Sequence, residues 1–374
     1  MSTMTSTPSG TAPDRTPDAP KTTAGESPVK AFLGRWETLI LALIVVVFLV
    51  GQAISTEFLT GDSLTSGTAD FAEYALLALP LTLIIATGEI DLSVASILAL
   101  SSAVMGSLWN AGLPMEAIIP ICFVVGAVCG AFNGWLVTGL GLPSLAVTIG
   151  TLALFRGLAF VVLGDESVTS FPAAYTDWGF GNFAGTPVPN PIVLFLVLAV
   201  LFALVLHRTP LGRSIFAIGA NKEAARFSGL RVDRIQFRLF VLSGVIAALA
   251  GIILTLRNST AAGNVGEGFE LTAIAAVVLG GVSIFGGTGT IGGVLLALIL
   301  LAGIQKALNL DPDISTYWVQ IVTGILLVGS VLGPNIAARV REARRINTRG
   351  ARPTRPGRPA EAQTGPGGEG NTNA

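Results

Sequence analysis

The chain has 374 residues, of which 51% are hydrophobic and only 12% charged, with a formal net charge of −1. A soluble domain carries roughly 25% charged residues, so the composition excludes an ordinary water-exposed fold, and the near-zero charge gives no ground for a nucleic-acid partner. The bilayer is the natural solvent for most of this chain.

In chain order, residues 1–35 begin with a Ser/Thr/Pro-rich stretch that cannot bury a core and reads as a disordered tail. The first apolar run starts at Leu39, past the window of a cleavable signal peptide, and is expected to stay as an anchor. Ten apolar stretches follow the length rule for helical crossings: 37–55, 71–87, 92–109, 116–137, 144–163, 191–207, 235–256, 270–285, 290–307 and 316–334. The eighth and ninth are separated only by a glycine-rich link, Gly286-Gly287-Thr288-Gly289-Thr290, so they read equally well as a re-entrant pair or a broken helix. The expected fold is an all-α integral membrane protein of about ten transmembrane helices, some broken or re-entrant, over 36–335. A tail rich in Arg, Gly and Pro follows over 336–374, with its basic residues drawn to anionic lipid.

Orientation follows from the distribution of Lys and Arg near the span ends. Both tails and the segment 207–234, with Arg208, Arg213, Lys222, Arg226, Arg231 and Arg234, are basic and fall on one side in a ten-span count, which makes both termini cytoplasmic. The loop 164–190 holds Asp165, Glu166 and Asp177 with no Lys or Arg, as an exported loop does. Its aromatic residues, among them Tyr175, Trp178 and Phe180, suit either receptor docking or an interfacial belt.

Several residues stand out against this apolar background. Glu89, Asp91 and Ser93 interrupt it between the second and third spans, and acids near a membrane interior are costly and usually functional. Either Asp91 or Ser93 caps the next helix while Glu89 meets water, or the group lines the translocation path; both can hold together. Arg156 in the fifth span must face the bundle or snorkel outward, and Asn133 in the fourth invites a bond to a neighbouring helix. The segment 207–234 is too long for a minimal connection and reads as a docking element. Asn221 serves as N-cap of a short helix 222–227, Glu223 lies in its first turn and Gly229 stops it. His207 has no companion ligands and reads as an interface residue.

Other chemistries find no support. Cys122 and Cys129 are two helical turns apart, about 10 Å, too far for a disulfide. The run Gly287 to Gly292 matches a dinucleotide fingerprint in spelling only, because membrane-length apolar sequence flanks it where a strand and a βαβ unit are required. Close helix packing accounts for its glycines better. No phosphate-loop pattern and no catalytic Ser/His/Asp or Cys/His set occurs, so neither an ATP site of that type nor a hydrolase is expected.

Taken in order, Thr87 to Leu98, Ala131-Phe132-Asn133-Gly134, Leu211-Gly212-Arg213, Gly219-Ala220-Asn221, Ala224-Ala225-Arg226, Ser228-Gly229 and Glu270 to Gly293 resemble the ribose-type permeases of bacterial ABC sugar importers, over about 37–334. The resemblance implies a plasma-membrane (inner-membrane) permease that passes a monosaccharide, such as ribose, xylose or rhamnose, or a furanosyl signalling molecule, by alternating access. It implies a second permease copy or paralogue in a dimer, an extracytoplasmic sugar-binding protein, and a separate ATPase subunit that uses the ATP and magnesium, with no cofactor on this chain. By similarity, Arg213, Gly219, Asn221, Ala224, Ala225, Arg226 and Gly229 belong to a coupling element for the ATPase, and Gly280, Gly281, Gly286 and Gly287 to helix packing. Glu89 departs from the small residue expected before Ile-Asp-Leu-Ser. It also keeps open a rival reading, an ion-coupled secondary transporter built on Glu89 and Asp91.

Overall fold

A computed structural model describes residues 36–164, 166–310 and 320–329, together with 318 and 332; the tails expected over 1–35 and 336–374 lie outside the described residues. Each of the ten apolar stretches carries a helix. In chain order these are α1 (Trp36–Ile54), α2 (Gly61–Ala69), α3 (Ala72–Ala86), α4 (Val94–Asn110), α5 (Met115–Thr138), α6 (Ser144–Leu163), α7 (Ala173–Phe180), α8 (Asn190–Arg208), α9 (Pro210–Ala220), α10 (Lys222–Phe227), α11 (Val232–Asn258), α12 (Phe269–Leu279), α13 (Ile291–Asn309) and α14 (Gln320–Gly329). Six of them, α1, α5, α6, α8, α11 and α13, are long and apolar enough to cross a membrane unaided, and α2 with α3 forms a seventh candidate bent by 46°.

The 27-residue α11 is the axis of the bundle. Its most apolar window is 78% buried, against 11% for α1, so α11 is a core helix and α1 a peripheral one whose Leu49, Val45 and Val50 face outward as lipid-contacting residues do. α5 lies against α11 along Gly126, Gly130 and Gly134, spaced four apart on one helical face. A Cβ on Gly126 would sit 2.3 Å from the Gly244 carbonyl oxygen, and one on Gly130 2.3 Å from that of Phe240. Lipid offers no hydrophobic drive between helices, so such backbone-to-backbone approach is what binds them. This small-xxx-small spacing over 126–134 is the sequence signal for that close approach.

Two segments carry local structure that apolar length leaves open. The helix in the eighth stretch, 270–285, does not span the bilayer by itself: α12 has 11 residues, about 16 Å at 1.5 Å per residue, half the hydrocarbon thickness of ~30 Å. It stops where Gly280 and Gly281 close the last turn, with Gly281 N–H donating to the Val278 carbonyl and Val282 N–H to that of Val277. Arg257 bonds Glu73 at the start of α3 while Gly287 bonds Ala86 at its end, so the chain between them passes from one end of α3 to the other as non-helical backbone followed by the half-helix α12, a broken crossing from which α13 returns. The loop 164–190 carries secondary structure of its own. Its Val168 and Thr169 (β1) pair antiparallel with Ala261 and Thr260 (β2), and Tyr175 on α7 donates to Glu116 at 2.6 Å.

Candidate functional site

At the basic end of the bundle the segment 207–234 folds into two helices. Thr209 caps α9, accepting from Gly212 N–H, with Pro210 at the first helical position. Ile215 and Ile218 turn inward, and this amphipathic helix, together with its Thr-Pro start signal, went unread in the sequence. Asn221 caps α10 as expected, its side chain accepting from Ala224 N–H at 2.9 Å, and Gly229 ends the turn at φ +85°. Asn221→Ala is therefore expected to cost about 1 kcal/mol of local helix stability; faster amide exchange confined to 222–227 is the check.

The residues assigned to this element do not all face the same way. Ala225 is buried with Ile218 and Val232 beneath the helix, on the inner side of the element, while Arg213, Glu223, Ala224, Arg226 and Phe227 are exposed, Phe227 at 92%. Arg226 pairs with Asp233 at 2.5 Å. Gly219 faces inward too. A Cβ there would fall 2.0 Å from the Ala86 carbonyl oxygen and 2.3 Å from Gly287 N, and Gly287 N–H itself donates to Ala86 O at 3.0 Å. Three backbones thus meet without side chains between them: the end of α3, the end of α9 and the turn between α12 and α13. Gly286 and Gly287, both at φ +82°, take a left-handed conformation that lets the turn approach this closely. His207, at the end of α8, holds the same region, its Nε2 accepting from Ile291 N–H at the start of α13.

The polar group between α3 and α4 separates into two parts. Glu89 is half-buried: its side chain is 14% exposed and its Oε1 accepts from Lys222 Nζ and from Gln236 Nε2, both at 2.9 Å. Asp91 is fully buried, Oδ1 accepting from the backbone N–H and the hydroxyl of Ser93 and Oδ2 from the Ser243 hydroxyl at 2.8 Å. Asn133 donates to Ser93 Oγ at 2.7 Å. Asp91, Ser93 and Asn133 are all fully buried and together form a polar brace between α4, α5 and α11. Nor do Ser93 and Asp91 simply cap α4; Asp91 makes a local turn bond and then reaches 152 residues along the chain. Arg156 faces the bundle, donating to the carbonyls of Val265 and Gly263 at 2.7 and 3.1 Å.

At the other end of α3 and α11 lies a constellation with no sequence signal. Arg257 donates to Glu73 at 2.9 Å and to Asp70 at 2.6 Å beside a cleft of about 380 Å³. Among the described residues no group of three or more His, Cys, Asp or Glu is placed to hold a metal.

Comparison with known proteins sets this geometry in a family. A family profile described as "Branched-chain amino acid transport system / permease component" matches residues 63–331. A protein named autoinducer 2 import system permease protein LsrD, from Yersinia enterocolitica, is 37% identical over 311 residues, covering 81% of this chain and 92% of its own length. Its namesake from Photorhabdus luminescens is 35% identical over 308 residues, with the same coverage. A solved structure described as an inward-facing ABC transporter of metal-chelate type covers 79% of this chain and 98% of its own at 13% identity and a TM-score of 0.46, too loose a likeness to argue from. The ion-coupled carrier gains nothing from these matches, and its two acids are held in separate networks. The permease components of ABC importers are transport subunits and not enzymes, and this multi-pass inner-membrane chain belongs to their family.

Proposed function

We propose that the chain carries a small furanosyl signalling molecule of the autoinducer 2 type through the membrane, as one half of a permease pair with a second copy or a paralogue. The names of its relatives, matched over nearly their whole length, support the substrate class. The partners follow from the same reading: an extracytoplasmic binding protein that delivers the ligand and an ATPase that drives alternating access. Both termini and the segment 207–234 lie on the cytoplasmic side, on the strength of their Lys and Arg.

The observation that carries the coupling role is the mounting of α10. A short capped helix presents Glu223, Ala224 and the 92% exposed Phe227 outward, while the adjoining Gly219 seats directly on the backbone of α3 and of the turn before α13. A partner gripping the outer face therefore moves two membrane elements through contacts that have no side-chain slack. An exposed aromatic flanked by small and charged residues is the composition of an interface anchor.

The test is affinity purification of the tagged chain from its own membranes, followed by reconstitution and uptake of autoinducer 2 against ribose. Recovery of a P-loop ATPase and a binding protein, with the furanosyl ligand preferred, is the expected outcome; ATP-independent uptake by the chain alone would overturn the reading. Ala224→Arg places bulk and charge on the outer face and should lower ATPase recovery and uptake about tenfold, the loss of roughly 1.4 kcal/mol of binding. Normal co-purification of the ATPase with this variant would refute docking at α10.

A further inference from the structure

The Glu89 carboxylate gathers three elements at one oxygen atom. Its Oε1 takes a hydrogen bond from Lys222, the first residue of α10, and another from Gln236 in the second turn of α11, while its own backbone continues from the end of α3. The link beyond it is bonded at nearly every step: Ile90 N–H donates to Ser144 Oγ at the start of α6, the Ile90 carbonyl accepts from Thr148, and Asp91 holds Ser243 of α11 and Ser93 of α4. The side chain is 14% exposed against 40% for Lys222, so the acid sits inside the junction and the amine at its rim, beside a cleft of about 300 Å³ that Arg226 and Asp233 also line.

We propose that Glu89 is a positioning residue for transport: the strut through which displacement of α10 is transmitted to the α3–α4 link and to α11. This rests on the docking role given to α10 above. A part-exposed ion pair contributes little to global stability, so the conservation of fold is not where its effect appears; it appears in how faithfully hydrolysis is converted into transport. Charge is required because only a carboxylate accepts from an ammonium and an amide at once through one oxygen at charge-assisted strength. Gln236 is suited to either polarity, since its Oε1 is buried without a hydrogen-bond partner among the described residues and can accept once the amide is reversed.

The experiment compares substrate taken up per ATP hydrolysed in vesicles holding the complete importer, with co-purification of the ATPase as the control for docking. Glu89→Lys, Lys222→Glu and Glu89→Ala should each retain the ATPase and lower that ratio about fivefold or more, the scale of a coupling free energy. The double exchange Glu89→Lys with Lys222→Glu restores the pair with its polarity reversed, Gln236 accepting from the new lysine, and should recover most of the ratio. A merely structural role predicts no such rescue. Single variants with the wild-type ratio, or a double exchange no better than the worse single in folded complexes, would overturn the strut alone. Absence of any ATPase with the wild-type chain would overturn the docking reading and the strut with it.

Discussion

Gly219→Val is expected to abolish uptake, and the step through Gly219→Ala to show why. In an isolated helix glycine is the poorer former, so alanine should gain about 1 kcal/mol. Here the sign reverses. The first atom of any side chain meets the Ala86 carbonyl oxygen at 2.0 Å and Gly287 N at 2.3 Å, and both are backbone atoms that no rotamer change can move aside. The added carbon also wedges into the hydrogen bond between Gly287 N–H and Ala86 O. Overpacking of this kind costs on the order of 1–3 kcal/mol for a methyl group and more for a branched side chain, so alanine should loosen the α9–α10 unit from the membrane helices and valine should detach it. Detachment reads out as proteolytic cleavage within 207–234, loss of ATPase co-purification and background uptake, with the remaining helices still inserted. Wild-type uptake by Gly219→Val would show that the three-backbone junction carries no motion.

That junction also marks the border of what sequence reasoning reaches. Apolar length located a helix in every one of the ten stretches, because in hydrocarbon each backbone polar group must be satisfied within its own segment and length is then the dominant constraint. Local chemistry was equally legible where it stays local: the Asn221 cap and the Gly229 stop involve partners within a few residues. Failures occurred where the partner is distant. Asp91 and Ser243, Glu73 and Arg257, and Glu89 and Gln236 are each separated by well over a hundred residues, and no periodicity encodes such pairings. Ala225 belonged to the recognisable motif yet faces inward, since a six-residue helix has to bury one side to stay folded and Ala225 is on that side. The short α12 was hidden for the opposite reason: apolar residues continue past Leu279 through Val282, Ile284 and Phe285, so composition extended a helix that Gly280 and Gly281 had already ended.

Asp91 offers the second large effect, and one that separates architecture from ion transport. Its carboxylate satisfies the Ser93 amide, the Ser93 hydroxyl and the Ser243 hydroxyl at a site with no solvent exposure. Asp91→Ala leaves those donors facing a small void, at a cost of about 1–3 kcal/mol for each buried group that finds no other partner. The Ser243 hydroxyl can turn back to a carbonyl of its own helix, but the Ser93 amide, at the start of α4, has no such alternative. Asp91→Asn keeps the shape: its Oδ1 accepts from Ser93 while its amide donates to Ser243 Oγ. Alanine should therefore sharply reduce the folded yield and the thermal midpoint in detergent, and asparagine should keep most of both along with most of the uptake. An ion-coupled site predicts the reverse pattern, in which asparagine folds normally and transports nothing because the charge itself is the working part. Should asparagine behave in that way, the brace between α4, α5 and α11 would be a carboxylate in service of transport chemistry, and the driving force would have to be sought in an ion gradient.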